Sequence, residues 1–163
     1  MSRSASPTLN PAASMNNAAP QPHRAVALWL FFCAFMVFVM VVIGGLTRLT
    51  ESGLSIVEWH PFTGVIPPLN EGDWQRLYQE YSQYPEFQKV NGWMSVADFK
   101  SIFWLEFIHR LWGRFIGVVF FVPFVWFLVK RSIDGTTKWK LAGLFVLGGR
   151  QGVMGWYMVM SGL

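Results

Sequence analysis

From Ala25 to Leu46 the sequence reads AVALWLFFCAFMVFVMVVIGGL, 22 residues without a charge, and it continues into Thr47-Arg48-Leu49-Thr50. At about 1.5 Å per residue this run makes roughly 33 Å of helix, enough to cross the hydrocarbon core of a bilayer. A cleaved signal peptide would have a shorter apolar region, about 7–15 residues, ending in a small-residue cleavage site. The longer run therefore reads as a retained first span. Composition agrees: 53% of the 163 residues are hydrophobic and 13% are charged, where soluble domains carry about 25% charged residues.

Upstream of this run, residues 1–24 are a low-complexity segment of Ser, Ala, Pro and Asn with Arg3, Arg24 and no acid. Such a segment is too polar to bury a core and is expected to be a disordered tail. Downstream, a second apolar segment runs over about 101–129. Ser95 and Asp98, just before it, have capping-box spacing, which predicts a helix start near Val96. A third span covers about 141–160, with Arg150 and Gln151 at its middle, where facing lipid would be costly. The expected class is all-α, a polytopic membrane helix bundle with three transmembrane helices.

The basic residues set the orientation. Arg3 and Arg24 lie in the tail, and Lys130, Arg131, Lys138 and Lys140 lie between the second and third spans. The segment 47–100 has four basic and seven acidic residues. Lysine and arginine near span ends stay on the cytoplasmic side, so the tail is expected inside and the loop 47–100 outside. Nucleic acid is excluded as a partner, because the net charge of +4 follows this topology rather than forming one patch. The single cysteine, Cys33, excludes an internal disulfide and Cys-rich metal frameworks. Within the loop, Trp74, Leu77, Tyr78 and Tyr81 have the spacing of a short amphipathic helix, to lie on the membrane surface or to cap the bundle.

The chemistry is concentrated in the second span. Glu106, His109, Arg110 and Arg114 fall within nine positions, and a helix puts the Glu106 carboxylate beside both His109 and Arg110. Ionisable residues inside a span mark a functional site by default. His109 has three readings: an axial ligand to a haem iron, a proton relay, or a hydrogen-bonded structural residue. Gly113 and Gly117, one and two turns further on, offer a flat strip for a planar macrocycle or a close-packing face for another helix. Arg110, Arg114 and Arg150 are candidates for holding haem propionates, or for pairing with Glu106 and lipid headgroups. For a second axial ligand the chain offers His23, His60, Met94, Met158 and Met160, none with a partner pattern.

Glu106-Phe107-Ile108-His109-Arg110 with Gly113-Arg114, preceded by Phe99-Lys100-Ser101-Ile102-Phe103-Trp104, resembles the second-helix signature of the haem A synthase family. Gly44-Gly45-Leu46-Thr47-Arg48-Leu49-Thr50 with Ser52-Gly53-Leu54-Ser55, then Trp59, Pro61, Gly64 and Pro67-Pro68, resembles it too. So does Gln151-Gly152 through Gly155-Trp156-Tyr157-Met158-Val159. The resemblance implies an eight-helix membrane enzyme of two four-helix bundles, of which this chain is an incomplete N-terminal part. It implies oxidation of a ring methyl of haem O to a formyl group, giving haem A for haem-copper terminal oxidases. It further implies that His109 ligates the substrate haem, that Glu106 is the carboxylate required for activity, and that a haem b sits in the absent C-terminal half. Haem O synthase and oxidase assembly factors are the partners it implies, in a bacterial cell inner membrane with a mitochondrial one as the alternative. The reading from another class is a non-catalytic haem b electron carrier or transporter fragment, with Glu106 and Arg110 as a structural ion pair.

Overall fold

The computed structural model describes residues 22–57 and 64–161. Four α-helices follow one another: α1 (Pro22–Leu49), α2 (Glu71–Ser82), α3 (Val96–Val129) and α4 (Gly135–Ser161), with one π-helical turn at Phe87–Asn91. No strand occurs among the described residues. Helix α1 begins at a proline, whose missing N–H costs nothing in a first helical turn. The expected tail therefore loses Pro22, His23 and Arg24 to the helix, and residues 1–21 lie outside the described residues. Segments Arg24–Leu49 and Val96–Val129 are long and apolar enough to cross a membrane. Large apolar side chains such as Phe31, Phe38, Val122 and Trp126 are exposed on them, a distribution suited to lipid.

Helices α1 and α3 run antiparallel, and two tryptophans stitch them together. Trp112 Nε1 on α3 donates to the Met36 carbonyl on α1 at 3.0 Å, and Trp29 Nε1 on α1 donates to the Val119 carbonyl on α3 at 2.9 Å. The second bond has a reason in the sequence. Pro123 lies inside α3, four residues after Val119, and having no N–H it leaves that carbonyl without its helical donor. The indole supplies the donor from the neighbouring helix, as hydrocarbon surroundings require. Around it Val26, Trp29, Cys33, Phe124 and Leu141 form one buried apolar cluster.

Helices α1 and α3 end in the same way. After α1, Glu51 N donates to the Arg48 carbonyl and Ser52 N to the Thr47 carbonyl. After α3, Arg131 N donates to the Leu128 carbonyl and Ser132 N to the Phe127 carbonyl. These are Schellman closures, and the residue that must turn left-handed is Glu51 in one and Arg131 in the other, each at φ 51°.

At roughly 1.5 Å per residue α3 is about 51 Å long and outruns a bilayer core. Its first turns are covered by the loop instead. The Ser95–Asp98 capping box is present and starts the helix at Val96 as its spacing predicts. Trp74 and Tyr81 on α2 are buried against Phe99, Phe103 and their neighbours, with Tyr81 stacked on Phe99 at 5.4 Å between ring centroids. Of the two roles open to this helix, packing on the bundle is the one observed. Tyr78 Oη donates to the Met94 carbonyl, and Asn91 Nδ2 donates to Tyr81 Oη. Burial pushes the Tyr81 hydroxyl pKa above its ordinary value.

Candidate functional site

The site is built where α1 ends beside the third turn of α3. Inside α1's last turn, Thr47 Oγ1 donates to the Gly44 carbonyl at 2.7 Å. The Schellman turn then reverses the chain. Ser52, wholly buried, adds a bond from its Oγ to the Thr47 carbonyl at 3.1 Å. This closure delivers Ser55 and Ile56 to the side of α3.

There they meet Glu106, which is 3% exposed. Ser55 Oγ donates to Glu106 Oε2 at 2.7 Å and the Ile56 backbone N–H donates to the same oxygen at 2.9 Å. Arg110, one helical turn on, donates from Nε at 2.9 Å and from Nη2 at 2.5 Å to Oε1. The same Nη2 donates to the Ile56 carbonyl at 2.7 Å. Both carboxylate oxygens thus accept two hydrogen bonds each, and a single buried clamp joins the chain after α1 to α3. A buried ion pair is tolerated when its remaining lone pairs are filled in this way.

His109 lies one turn from Glu106, half-buried, and is not among the donors to the carboxylate. Its imidazole rests against α1, where a Cβ at Gly44 would fall 3.2 Å from Nε2 and 3.7 Å from Cδ2. The two helices approach closely here because Gly44 has no side chain. Gly113 is the other close approach: a Cβ there would lie 3.3 Å from Met40 Cε. Nothing lies within 4 Å of such an atom at Gly117. Of the expected glycine strip, one member therefore carries α1 and the other faces open space.

Arg110 and Arg114 line a cavity of about 250 Å³ together with Arg76, Asp73, Phe103 and Phe107. That is below the roughly 300–1,000 Å³ of drug-sized ligand sites. Arg150, the third arginine considered for propionates, is exposed on α4 with Gln151. Among the second-ligand candidates, Met94 is buried in the cluster beneath α2, and Met158 and Met160 are exposed on α4. His60 and the side chain of His23 lie outside the described residues. No group of three or more His, Cys, Asp or Glu side chains able to hold a metal ion occurs among the described residues.

A family model described as cytochrome oxidase assembly protein, COX15-CtaA, matches residues 27–163, the stretch that contains the whole clamp, His109 and Gly44. The chain belongs to this family. As a member of the cytochrome oxidase assembly family it is an all-α polytopic membrane protein. It is similar to the heme A synthase of Paramagnetospirillum magneticum, 60% identical over 141 residues that cover 86% of this chain and 40% of the relative. The heme A synthase of Nitrosospira multiformis is 56% identical over 140 residues, covering 86% of this chain and 39% of the relative. That of Rhodospirillum centenum is 54% identical over 156 residues, covering 96% and 41%. The chain thus spans about 40% of the length of these curated relatives. No solved structure matches it.

Within this family member, Ser55, Ile56 and Gly44 are the site residues that reading the second span alone misses. Ser55 and Gly44 do stand in the motifs that carry the resemblance, but what they touch lies 51 and 65 positions away in sequence. The Ile56 contribution is a backbone N–H, which no residue type announces.

Proposed function

We propose that this chain forms the first haem-holding bundle of a haem A synthase, which oxidises a ring methyl of haem O to a formyl group for use in haem-copper terminal oxidases. The supporting observation is the placement of His109: a half-buried imidazole at the α1–α3 seam, its Nε2 edge in the space left by Gly44, one turn from a fully hydrogen-bonded carboxylate. The chemistry of the residues fits a haem, since a neutral imidazole nitrogen is an ordinary axial ligand to its iron. When bound, the haem supplies the iron and the methyl group that is oxidised.

His109 would hold the substrate haem from α3, and Arg110 and Arg114 its propionates, through the cavity they share. Glu106 holds Arg110 and the 55–56 backbone in register with His109. The four hydrogen bonds its oxygens accept fix these neighbours around the carboxylate, which stands one turn from His109 as the residue required for activity in this reading. Gly117 leaves open backbone surface two turns beyond the imidazole, and Gly113 sets the depth at which α1 and α3 meet. A second haem, haem b, belongs to the part of the relatives' length that this chain does not span. With spans at about 25–46, 101–129 and 141–160, the Lys and Arg residues of the tail and of the turn between the second and third spans support a cytoplasmic N-terminus and a 47–100 loop outside a bacterial inner membrane, and this reading implies haem O synthase and oxidase assembly factors as partners.

One observation favours a second reading. Glu106 and Arg110 form a saturated buried ion pair, as a non-catalytic haem b carrier with a structural clamp would also have. A pyridine haemochrome spectrum of the purified intact gene product separates the two. Haem O and haem A signals support the synthase; haem b alone supports the carrier.

A further inference from the structure

We propose that Gly44 of α1 is a positioning residue for the His109 imidazole, so that the first helix, and not only α3, decides where the ligating nitrogen lies. The inference rests on the reading of His109 as a haem ligand. Any side chain at position 44 would place its Cβ 3.2 Å from Nε2, tighter than nine in ten real Cβ contacts, so a neighbour has to give.

The helices cannot easily give. Their separation is pinned above and below this point by the Trp112–Met36 bond, the Trp29–Val119 bond and the clamp of Glu106 and Arg110 on Ser55 and Ile56. The α1 backbone at Gly44 is also engaged, since its carbonyl accepts from Thr47 Oγ1. What remains free to yield is the rotation of the imidazole about its own side-chain torsions. That rotation moves Nε2, the atom whose position matters to a ligand. The contact at Gly113 is different in kind, because the atom it would meet is the methyl end of a flexible methionine.

The adjacent glycine provides the control. A Cβ at Gly45 meets nothing within 4 Å, so Gly45→Ala tests a second helix glycine with no path to His109. The test uses the intact gene product, loaded with haem during expression, and compares wild type, Gly44→Ala, Gly45→Ala and His109→Ala. Optical and electron paramagnetic resonance spectra report the axial ligation. The expected result is an altered axial signature, or loss of His109-bound haem, in Gly44→Ala, with Gly45→Ala matching wild type.

If Gly44→Ala assembles poorly, its melting temperature is measured with and without His109→Ala. The proposal expects the alanine to destabilise the wild-type protein and to be tolerated once the imidazole is gone. A wild-type signature in Gly44→Ala, with His109 shown to be a ligand, overturns this proposal alone. Equal destabilisation in the His109→Ala background overturns it as well. If His109→Ala itself leaves the haem spectrum unchanged, the ligand reading falls and takes the Gly44 proposal with it.

Discussion

Replacing Glu106 by glutamine keeps the shape of the side chain and removes only its second acceptor oxygen and its charge. The amide oxygen can continue to accept from Ser55 Oγ and the Ile56 N–H, which approach one oxygen of the carboxylate. That orientation turns the amide NH2 toward Nε and Nη2 of Arg110, setting donors against donors where two charge-assisted bonds now stand. Both side chains are nearly buried, with 10% of the arginine and 4% of the glutamate side chain exposed. Breaking one partner of a buried pair costs about 3–5 kcal/mol. At about 2–4 °C per kcal/mol for a chain of this size, Glu106→Gln is expected to lower the melting temperature by roughly 6–20 °C.

Removing both partners should cost less than removing one. Glu106→Gln with Arg110→Met leaves no buried charge, and the remaining penalty is about 1–3 kcal/mol for the Ile56 carbonyl left without its donor. Thermal melts followed by circular dichroism, in one detergent and at one lipid ratio, measure both quantities. A single mutant within about 2 °C of wild type, well below the loss expected for a broken buried pair, refutes the clamp. So does a double mutant as unstable as the sum of the singles.

Ser55→Ala removes one hydrogen bond to a buried charge and should cost about 1.5–3 kcal/mol by the same melts; a loss within about 0.5 kcal/mol of zero would mean that the bond does not hold the loop. Trp29→Phe orphans the Val119 carbonyl and should cost about 1–3 kcal/mol, whereas the same change in a Pro123→Ala background should cost much less, because the helix then provides its own donor. Glu51→Gly relieves a left-handed non-glycine residue and should raise stability by about 1 kcal/mol, provided the closure after α1 is as described. The packing of α2 should weaken at high pH. Tyr81 has its pKa raised in the folded state, so its contribution is complete below the ordinary value of 10.0 and is lost as pH rises through the higher folded value. Tyr81→Phe should abolish that alkaline dependence of the loop's hydrogen-exchange protection.

Local signals made much of this architecture readable. An uncharged run announces α1, the Ser95–Asp98 spacing announces the start of α3, and the Trp74, Leu77, Tyr78, Tyr81 period announces α2. The pairing of Glu106 with Arg110 is also local, since four positions on a helix is one turn. Helix ends differ from span ends for a physical reason: α3 starts five residues before the apolar segment, and its extra turns are buried by α2 rather than by lipid. Likewise α4 starts at Gly135, well before 141, because Asp134 Oδ1 accepts from the Thr137 N–H and stabilises a polar first turn.

The remainder depended on the register between helices, which one sequence does not contain. Gly113 and Gly117 look like the natural glycines to sit beside His109, yet Gly44, on a different helix, is the one that faces it. Pro123 signals a missing donor, but that Trp29 supplies it follows only once α1 and α3 lie side by side.

If His109 holds the haem whose methyl group is oxidised, haem A formation depends on its imidazole. The direct measurement is the haem A content of the intact gene product, by extraction, chromatography and mass spectrometry, in cells that make haem O, for wild type and His109→Ala expressed to equal levels. Haem O and haem A are expected with the wild-type protein, and neither bound to the His109→Ala protein. An equal haem A yield from His109→Ala, or haem b as the only haem in the wild type, would contradict this role of His109.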